Sequence, residues 1–141
     1  MTQKFFPAKI KVSSMLPKDN RLTKIRDFNL LFKHGFYISG QLIDLKLLKL
    51  NKILNYFPKK ENPTTFVKQL LIGISVGIKI SKKAVVRNKI KRQIREILRL
   101  SLQKNEVIPG YYLLFIAKKE AVGKEYLELE KEVRGLIGKV R

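Results

Sequence analysis

The sequence predicts an α+β fold, arranged as a two-layer sandwich. Two observations lead to this prediction. Two apolar runs of strand length, residues 70–78 and 111–117, enclose a stretch at 84–103 whose apolar positions recur at helical spacing. Amphipathic stretches at 21–35 and 122–140 supply two outer helices. With 141 residues, 45% of them hydrophobic, the chain is expected to fold alone as one domain.

The charge of the chain is strongly positive and unevenly distributed. The 31 basic and 11 acidic residues give a formal net charge of +20, which points to nucleic acid and, far behind it, to an anionic membrane surface. Residues 1–119 hold 26 of the bases and six of the acids, whereas residues 120–141 hold five of each. The last segment is therefore expected to face away from the partner.

Composition also excludes several classes of protein. The chain has no cysteine, so disulfide frameworks and thiolate metal sites are excluded. The longest apolar run, residues 70–78, is far shorter than the roughly 20 residues that a membrane-spanning helix needs. The basic N-terminus lacks the apolar stretch of a secretory signal. We therefore expect a cytoplasmic protein with no membrane partner.

The first part of the chain is predicted as an arm followed by a helix. Residues 1–20 lack a sustained periodicity and contain two prolines, which indicates a flexible basic arm. Residues 21–35 are typical of a helix, with Thr23 as its N-cap, Asp27 early in it and Gly35 closing it in the left-handed conformation. From the pattern alone, its apolar side is a core-facing side, formed by Ile25, Phe28, Leu31 and Phe32.

The middle of the chain contains the strand candidates. Residues 36–39 are a short candidate, and residues 42–50 fit either a strand or a helix by periodicity. Residues 51–68 contain two prolines and are predicted as an inserted loop or an extended hairpin. The apolar runs at 70–78 and 111–117 are typical of buried strands. If these two strands are parallel, the general rule predicts a right-handed crossover between them.

The helix predicted at 84–103, with Ser81 as its N-cap, is densely basic on one face. Between residues 79 and 99, nine basic side chains accompany a single acid, Glu96. A helix that merely faces solvent is the alternative, but such helices usually interleave acids that relieve the repulsion. We expect a polyphosphate partner to supply the missing negative charge. The basic face comprises Arg87, Asn88, Lys91, Arg92, Arg95 and Arg99.

The C-terminal stretch, residues 122–140, is predicted as an amphipathic helix. Its apolar stripe is formed by Tyr126, Leu129, Val133 and Leu136. Glutamates occupy other positions, so we interpret this helix as a scaffold element that covers the sheet.

Parts of the sequence resemble the bacterial ribonuclease P protein subunit. The stretch AVVRNKIKRQIRE, residues 84–96, fits the AVxRNxxKRxxRE signature of that family, and RLTKIRDFNLLFKHG, residues 21–35, is similar to its N-terminal helix. The resemblance begins at residue 21 and implies a single RNA-binding domain over 21–141, with an insertion at 51–68. It also implies that residues 42–50 form a strand, which gives the element order α-β-β-β-α-β-α. The crossover is implied to be left-handed, against the general rule.

The resemblance implies a role in the 5′ maturation of tRNA. The family's RNA subunit performs the endonucleolytic hydrolysis and holds the Mg²⁺ ions, while the protein binds this catalytic RNA. No obligate protein partner is implied. Arginine suits such docking because its planar fork takes a phosphate bidentately. The residues implied in RNA binding are Arg87, Asn88, Lys91, Arg92 and Arg95, with Arg99, Lys83 and Arg21 as further contacts.

The resemblance also implies a cleft for the single-stranded 5′ leader of precursor tRNA. Two aromatic positions of the N-terminal helix border it, and they are Phe28 and Phe32 here. Where family members commonly carry an aromatic residue on the adjacent strand, this sequence has Lys46. The implied cleft therefore holds the leader by stacking and charge, with little sequence preference.

The sequence offers no active site of its own. A hydrolase needs a metal cluster or an acid–base pair, and the single histidine, His34, lies at a helix C-terminus, where the helix dipole accounts for it. We therefore expect this chain to contain no catalytic and no metal-binding residues. Two alternatives remain. A structural RNA-binding protein such as a ribosomal protein would share the charge, and a basic membrane-surface protein would bind liposomes.

Overall fold

The computed structural model describes residues 16–56 and 63–140. Three long helices and four strands follow one another in the predicted order, and a fourth, short helix, Pro63–Phe66, lies within the predicted insertion. The long helices are α1 (Ile25–His34), α2 (Ala84–Gln103) and α3 (Tyr126–Gly138), and the strands are β1 (Phe36–Ile38), β2 (Ile43–Lys49), β3 (Leu70–Ser75) and β4 (Tyr111–Ala117). The prediction of an α+β fold is confirmed. No helix within these two ranges is long and apolar enough to cross a membrane.

The four strands form one sheet in the order β1-β2-β4-β3. Strand β2 pairs antiparallel with both β1 and β4, while β3 pairs parallel with β4. Strand β3, helix α2 and strand β4 therefore form a β-α-β crossover, for which the left-handed form stays a prediction. The 42–50 stretch, which periodicity left open, is a strand.

Helices α2 and α3 cover one face of the sheet and form the larger core with it. Side chains from alternate strand positions point to this face, because successive residues of a strand point to opposite sides. Strand residues Leu47, Leu113 and Phe115 pack there against Ile94 of α2 and Val133 of α3, and all five are at most 2% exposed. The apolar stripes predicted for both helices are thereby confirmed.

Helix α1 covers only part of the opposite face. Leu31 of α1 is fully buried there, together with Leu48, Tyr112 and Phe66, in a second and smaller core. Beside α1 this face carries two exposed aromatic rings, Phe32 of α1 and Tyr37 of β1. The two-layer arrangement is therefore supplemented by one helix on the second face.

The start of α1 differs from the prediction. The N-cap is Lys24 rather than Thr23, and no side chain caps this end. What fixes α1 to the sheet is Asp27, whose carboxylate is 2% exposed and accepts a hydrogen bond of 3.1 Å from the Tyr112 hydroxyl of β4. The guanidinium Nε of Arg26 lies 3.2 Å from the same carboxylate oxygen. Because a buried carboxylate needs such partners, this contact holds the first turn of α1 in place.

The end of α1 also differs from the prediction, because Gly35 is required for a different physical reason. Gly35 has φ −83°, so it does not adopt the predicted left-handed conformation. A Cβ atom at this position would lie 2.5 Å from the carbonyl oxygen of Leu31 and 2.7 Å from that of Leu47. Glycine is needed here because α1 and β2 approach each other closely, which fixes the position of the helix against the sheet.

Two segments predicted as irregular are packed where the structure describes them. Of the predicted arm, residues 16–20 are described and residues 1–15 lie outside the described ranges. Leu16 belongs to the larger core, and the Asn20 side-chain amide donates to the carbonyl of Leu70. In the predicted insertion, Ile53 and Phe66 are buried in the smaller core. Residues 57–62 of the insertion lie outside the described ranges.

Candidate nucleic-acid interface

The basic face of α2 points away from the core. Ile90, Ile94, Ile97 and Leu98 are buried on its other side, which leaves Asn88 and Arg92 exposed. Lys91 and Arg95 are half-exposed on the same face. The structure therefore brings four of the predicted docking residues together on one helix surface.

Arg87 begins this surface, and it also organises the loop before the helix. Its Nη1 donates a 2.8 Å hydrogen bond to the carbonyl oxygen of Ser81. The N-cap of α2 is Lys83, not Ser81, and the Ser81 hydroxyl instead accepts from the Lys83 amide at 3.2 Å. Arg87 and Ser81 thereby hold the loop that carries the exposed cation Lys83 against the first turn of α2.

Arg99 is engaged within the chain, which argues against the predicted RNA contact. Its Nε and Nη2 donate to the two carboxylate oxygens of Glu96 at 3.0 and 2.7 Å. This bidentate hydrogen bonding raises the pKa of the Arg99 guanidinium above its ordinary value. The single acid of the basic stretch thus neutralises Arg99 and leaves Lys91, Arg92 and Arg95 without an ion pair among the described residues.

The predicted contact Arg21 lies beside α2 at the outer edge of β3. It forms a parallel bridge with Ile72, and its Nε donates to the carbonyl of Leu16 at 2.9 Å. A cavity of about 310 Å³ at this edge is lined by Arg21 together with Lys91 and Arg95 of α2. Arg21 therefore extends the basic surface of α2 across the β3 edge.

The residues predicted to line the leader cleft lie together where α1 meets the sheet. Phe28 and Phe32 lie one turn apart on α1, with ring centroids 6.3 Å apart and planes inclined by 20°. Phe28 is half-buried against the smaller core, whereas Phe32 is 54% exposed. Ile25, predicted to share their core side, is 78% exposed. Of the apolar side chains on this side, Leu31 alone is fully buried, so Phe32 is not a core residue.

Lys46 lies on the floor of this cleft, between two aromatic rings. Its Nζ is 4.3 Å from the ring centroid of Tyr37 on β1 and 5.6 Å from that of Phe32 on α1. Both distances are in the range of cation–π contacts. The side chain as a whole is only 7% exposed, yet no carboxylate pairs with it among the described residues. A cation in this position attracts an anion from outside the protein.

Tyr37 is the cleft residue that the sequence prediction missed. It is directly opposite Lys46 in the β1–β2 register, so the two side chains point to the same face of the sheet. The ring is 56% exposed. The sequence gave no strong signal for it, because the register that places position 37 against position 46 depends on the turn between the two strands. The aromatic residue expected on β2 is thus supplied by the neighbouring strand.

The described residues offer cations and aromatic rings, the side chains that contact RNA phosphates and bases. They contain no group of three or more histidine, aspartate and glutamate side chains that could hold a metal ion. Asp27 accepts a hydrogen bond from the Tyr112 hydroxyl, and Asp44 accepts hydrogen bonds from the Ser39 hydroxyl and the Gly40 amide. The carboxylates nearest the cleft therefore have structural partners, and the cleft offers aromatic rings and a cation.

Comparison with known protein families gives one match. The model of the family described as Ribonuclease P matches residues 16–141. A ribonuclease P protein component of Nostoc punctiforme is 37% identical over 114 residues, which cover 75% of this chain and 79% of that protein. The corresponding protein of Clostridium kluyveri is 35% identical over 119 residues, covering 84% of this chain and 92% of that protein.

Solved structures share the fold. The RNase P protein of Staphylococcus aureus is similar with a TM-score of 0.65 and 25% identity, covering 87% of this chain and 98% of that chain. The RNase P protein of Thermotoga maritima has a TM-score of 0.66 at 24% identity, covering 86% of this chain and 98% of that chain. The sheet and helices described above are therefore an architecture shared with the RNase P proteins of these two bacteria.

Proposed function

Since the chain belongs to the ribonuclease P protein family, we propose that it binds two RNAs at once, on two separate surfaces. Membership makes it the protein subunit of a ribonucleoprotein that processes the 5′ end of tRNA. The partner of the family is the ribonuclease P RNA. The second RNA, in this proposal, is precursor tRNA, and its 5′ leader lies in the cleft beside α1.

The catalytic RNA docks along α2. Arg92 and Asn88 are exposed there, and Lys91 and Arg95 present charge that no acid of the described chain neutralises. Phosphates along an RNA backbone supply that negative charge at comparable density. Arg87 contributes in a second way, because its bond to Ser81 holds the loop bearing Lys83 beside this surface.

The leader occupies the cleft on the other face of the sheet. The observation on which this proposal rests is the position of Lys46, whose ammonium lies between the rings of Tyr37 and Phe32. Both rings are more than half exposed, so each has surface on which a base can stack. The ammonium attracts the phosphate between such bases. Neither contact reads a base edge, so the site accepts leaders of different sequence.

Hydrolysis belongs to the RNA subunit in this proposal. The described residues contain no group of three or more acidic or histidine side chains that could hold a metal ion, and the phosphates of an RNA offer the oxygen ligands that Mg²⁺ prefers. We therefore place Mg²⁺ with the RNA and derive no catalytic step from the protein. The protein's contribution is to hold the substrate and to neutralise phosphates. We infer that it works in the cytoplasm, because bacterial precursor tRNA is made there.

The proposal is tested by binding of matched tRNAs to the reconstituted complex. Affinity is measured for a precursor with a leader of several nucleotides and for the mature tRNA, with the RNA subunit alone and with the RNA subunit plus protein. The protein is expected to strengthen binding of the precursor and to leave binding of mature tRNA nearly unchanged. An equal gain for both tRNAs would remove the leader from the cleft. Binding to ribosomal RNA, without any gain here, would favour the alternative of a structural RNA-binding protein.

A further inference from the structure

A second basic concavity lies where the first turn of α1, the start of β3 and the end of α2 meet. Its volume is about 990 Å³. The sequence prediction did not single it out, and it contains neither the leader-cleft rings nor the docking residues of α2. Five cationic side chains line it, namely Lys18, Arg21, Lys24, Arg26 and Lys68.

The acids of this concavity do not balance its cations. Asp27 is 2% exposed and is already engaged by the Tyr112 hydroxyl and by Arg26. Asp19 is the other acid in the lining. Lys18, Lys24 and Lys68 are all exposed, and none forms an ion pair within the described residues. Three cations drawn from three separate segments therefore converge on one hollow, in whose lining Asp19 is the one remaining acid.

The concavity is continuous with the docking surface of α2. Arg21 lines this hollow and also the smaller cavity that it shares with Lys91 and Arg95. Its bond to the Leu16 carbonyl fixes the guanidinium between the two. A basic band therefore runs along the outer edge of β3, from α2 through Arg21 to the amino end of α1. Arg21 therefore lies between the cations at the two ends of this band.

We propose that this concavity, formed around Lys18, Lys24 and Lys68, is a second contact for the backbone phosphates of the ribonuclease P RNA. The continuity through Arg21 selects that RNA rather than the leader, because Arg21 adjoins α2. The inference rests on the proposed docking of the RNA along α2 and extends it by a site that this surface alone does not contain. Lysine suits the contact because its ammonium acts as a point charge and needs no fixed geometry.

The test compares two full-length triple variants with the same change in charge. Lys18→Gln/Lys24→Gln/Lys68→Gln removes the three lysines, and Lys119→Gln/Lys131→Gln/Lys139→Gln removes three exposed lysines from the C-terminal part. The dissociation constant for the ribonuclease P RNA is measured against salt concentration. The first variant is expected to lower the slope of the logarithmic plot by roughly 2 to 3 units, since each phosphate contact contributes about 0.7 to 0.9. The second is expected to follow the unchanged protein.

Two further measurements separate the possible results. Equal slopes for the two triple variants, both of them folded by thermal melting, would overturn the inference. A loss that appears only for precursor tRNA and spares the RNA subunit would also overturn it, by assigning the concavity to the leader. Arg92→Ala is measured in parallel as a probe of α2. If Arg92→Ala weakens RNA binding while the lysine variant does not, the second contact fails and the docking along α2 stands.

Discussion

At the scale of single residues, Phe28 and Phe32 have different surroundings, although their spacing along α1 predicts the same role for both. Both are on one side of α1, but Leu31 and Asp27 take the central contacts with the sheet. Phe28 is left half-buried against the smaller core, and Phe32 extends past it into the open cleft. A pattern of apolar spacing gives the side of a helix, whereas the extent of the sheet beneath decides which residues on that side are covered.

Phe32→Ala therefore tests the cleft with little interference from folding. We expect the preference for precursor over mature tRNA to fall by about 1 to 3 kcal/mol per base that no longer stacks. The free energy of unfolding should change little, because the ring is 54% exposed. Precursor and mature tRNA affinities of the reconstituted complex, together with a urea titration, measure both quantities. Phe28→Ala is expected to lose stability as well.

Phe36→Ala is the matched control. Phe36 is 53% exposed, and it pairs with Leu47, so it points to the opposite face of the sheet from the cleft. Its removal should leave the ratio of the two affinities unchanged. An equal fall of the ratio for Phe32→Ala and Phe36→Ala would mean that the effect comes from general loss of aromatic surface and not from the cleft.

Lys46 shows what single-residue reasoning could and could not supply. The sequence identified it as the exception on β2, and the structure places its ammonium beside the rings of Phe32 and Tyr37, while its role in a leader cleft stays a prediction. Its two aromatic neighbours come from α1 and from β1, and the second depends on the pairing of Tyr37 with Lys46. Cross-strand register is set by the turn between the strands, and that turn carried no strong signal here. The cation–π contact was therefore not visible from the sequence.

At the scale of elements, α2 and β4 match their predicted bounds, residues 84–103 and 111–117. Both carry strong and regular apolar patterns that tertiary contacts reinforce. The start of α1 does not match, because its position is set by the buried contact between Asp27 and Tyr112 rather than by a cap. The insertion was predicted as a loop or an extended hairpin because its prolines dominate the pattern. The structure has the short helix Pro63–Phe66 there, and the buried Ile53 and Phe66 anchor the segment.

Within α2, Arg95 and Arg99 lie one turn apart. Arg95 is proposed to bind the RNA, whereas Arg99 pairs with Glu96 inside the chain. Arg95→Ala is expected to weaken binding of the ribonuclease P RNA by about 1 to 3 kcal/mol, as for a charge-assisted contact. The slope of log affinity against log salt should fall by about 0.7 to 0.9. Arg99→Ala is the comparison, because Arg99 donates both of its bonds to Glu96. It should change the slope much less, and identical losses for the two variants would return Arg99 to the docking surface.

The contact between α1 and β2 is tested by Gly35→Ala, with Gly135→Ala as a control for which the expected change in stability has the opposite sign. Gly35→Ala should destabilise the fold by about 1 to 3 kcal/mol, because its Cβ would lie against the carbonyl oxygens of Leu31 and Leu47. Gly135→Ala lies inside α3 with nothing within 4 Å, so it should stabilise by about 0.5 to 1 kcal/mol. Chemical unfolding of both variants gives the signs. A neutral Gly35→Ala would show that α1 can shift away from β2 without loss.

At the scale of the whole molecule, the uneven charge of the sequence corresponds to a division of work. Acids of the C-terminal part have structural tasks: Glu132 accepts the backbone amides of Leu42 and Ile43, and Glu125 and Glu128 form a capping box at the start of α3. The cations of α2, of the cleft and of the β3 edge have few such partners. The uneven charge could be predicted from composition, whereas the placement of the two proposed RNA surfaces on opposite faces of the sheet required the fold.

The central claim is that the protein assists an RNA that performs the cleavage. It is tested most directly by cleavage of labelled precursor tRNA at low Mg²⁺, with the RNA subunit alone, with the protein alone and with both. The account predicts slow cleavage by the RNA, faster release of the same 5′ product when the protein is added, and none by the protein alone. Cleavage by the protein without RNA, with contaminating nucleases excluded, or the absence of any acceleration in the complex, would contradict it.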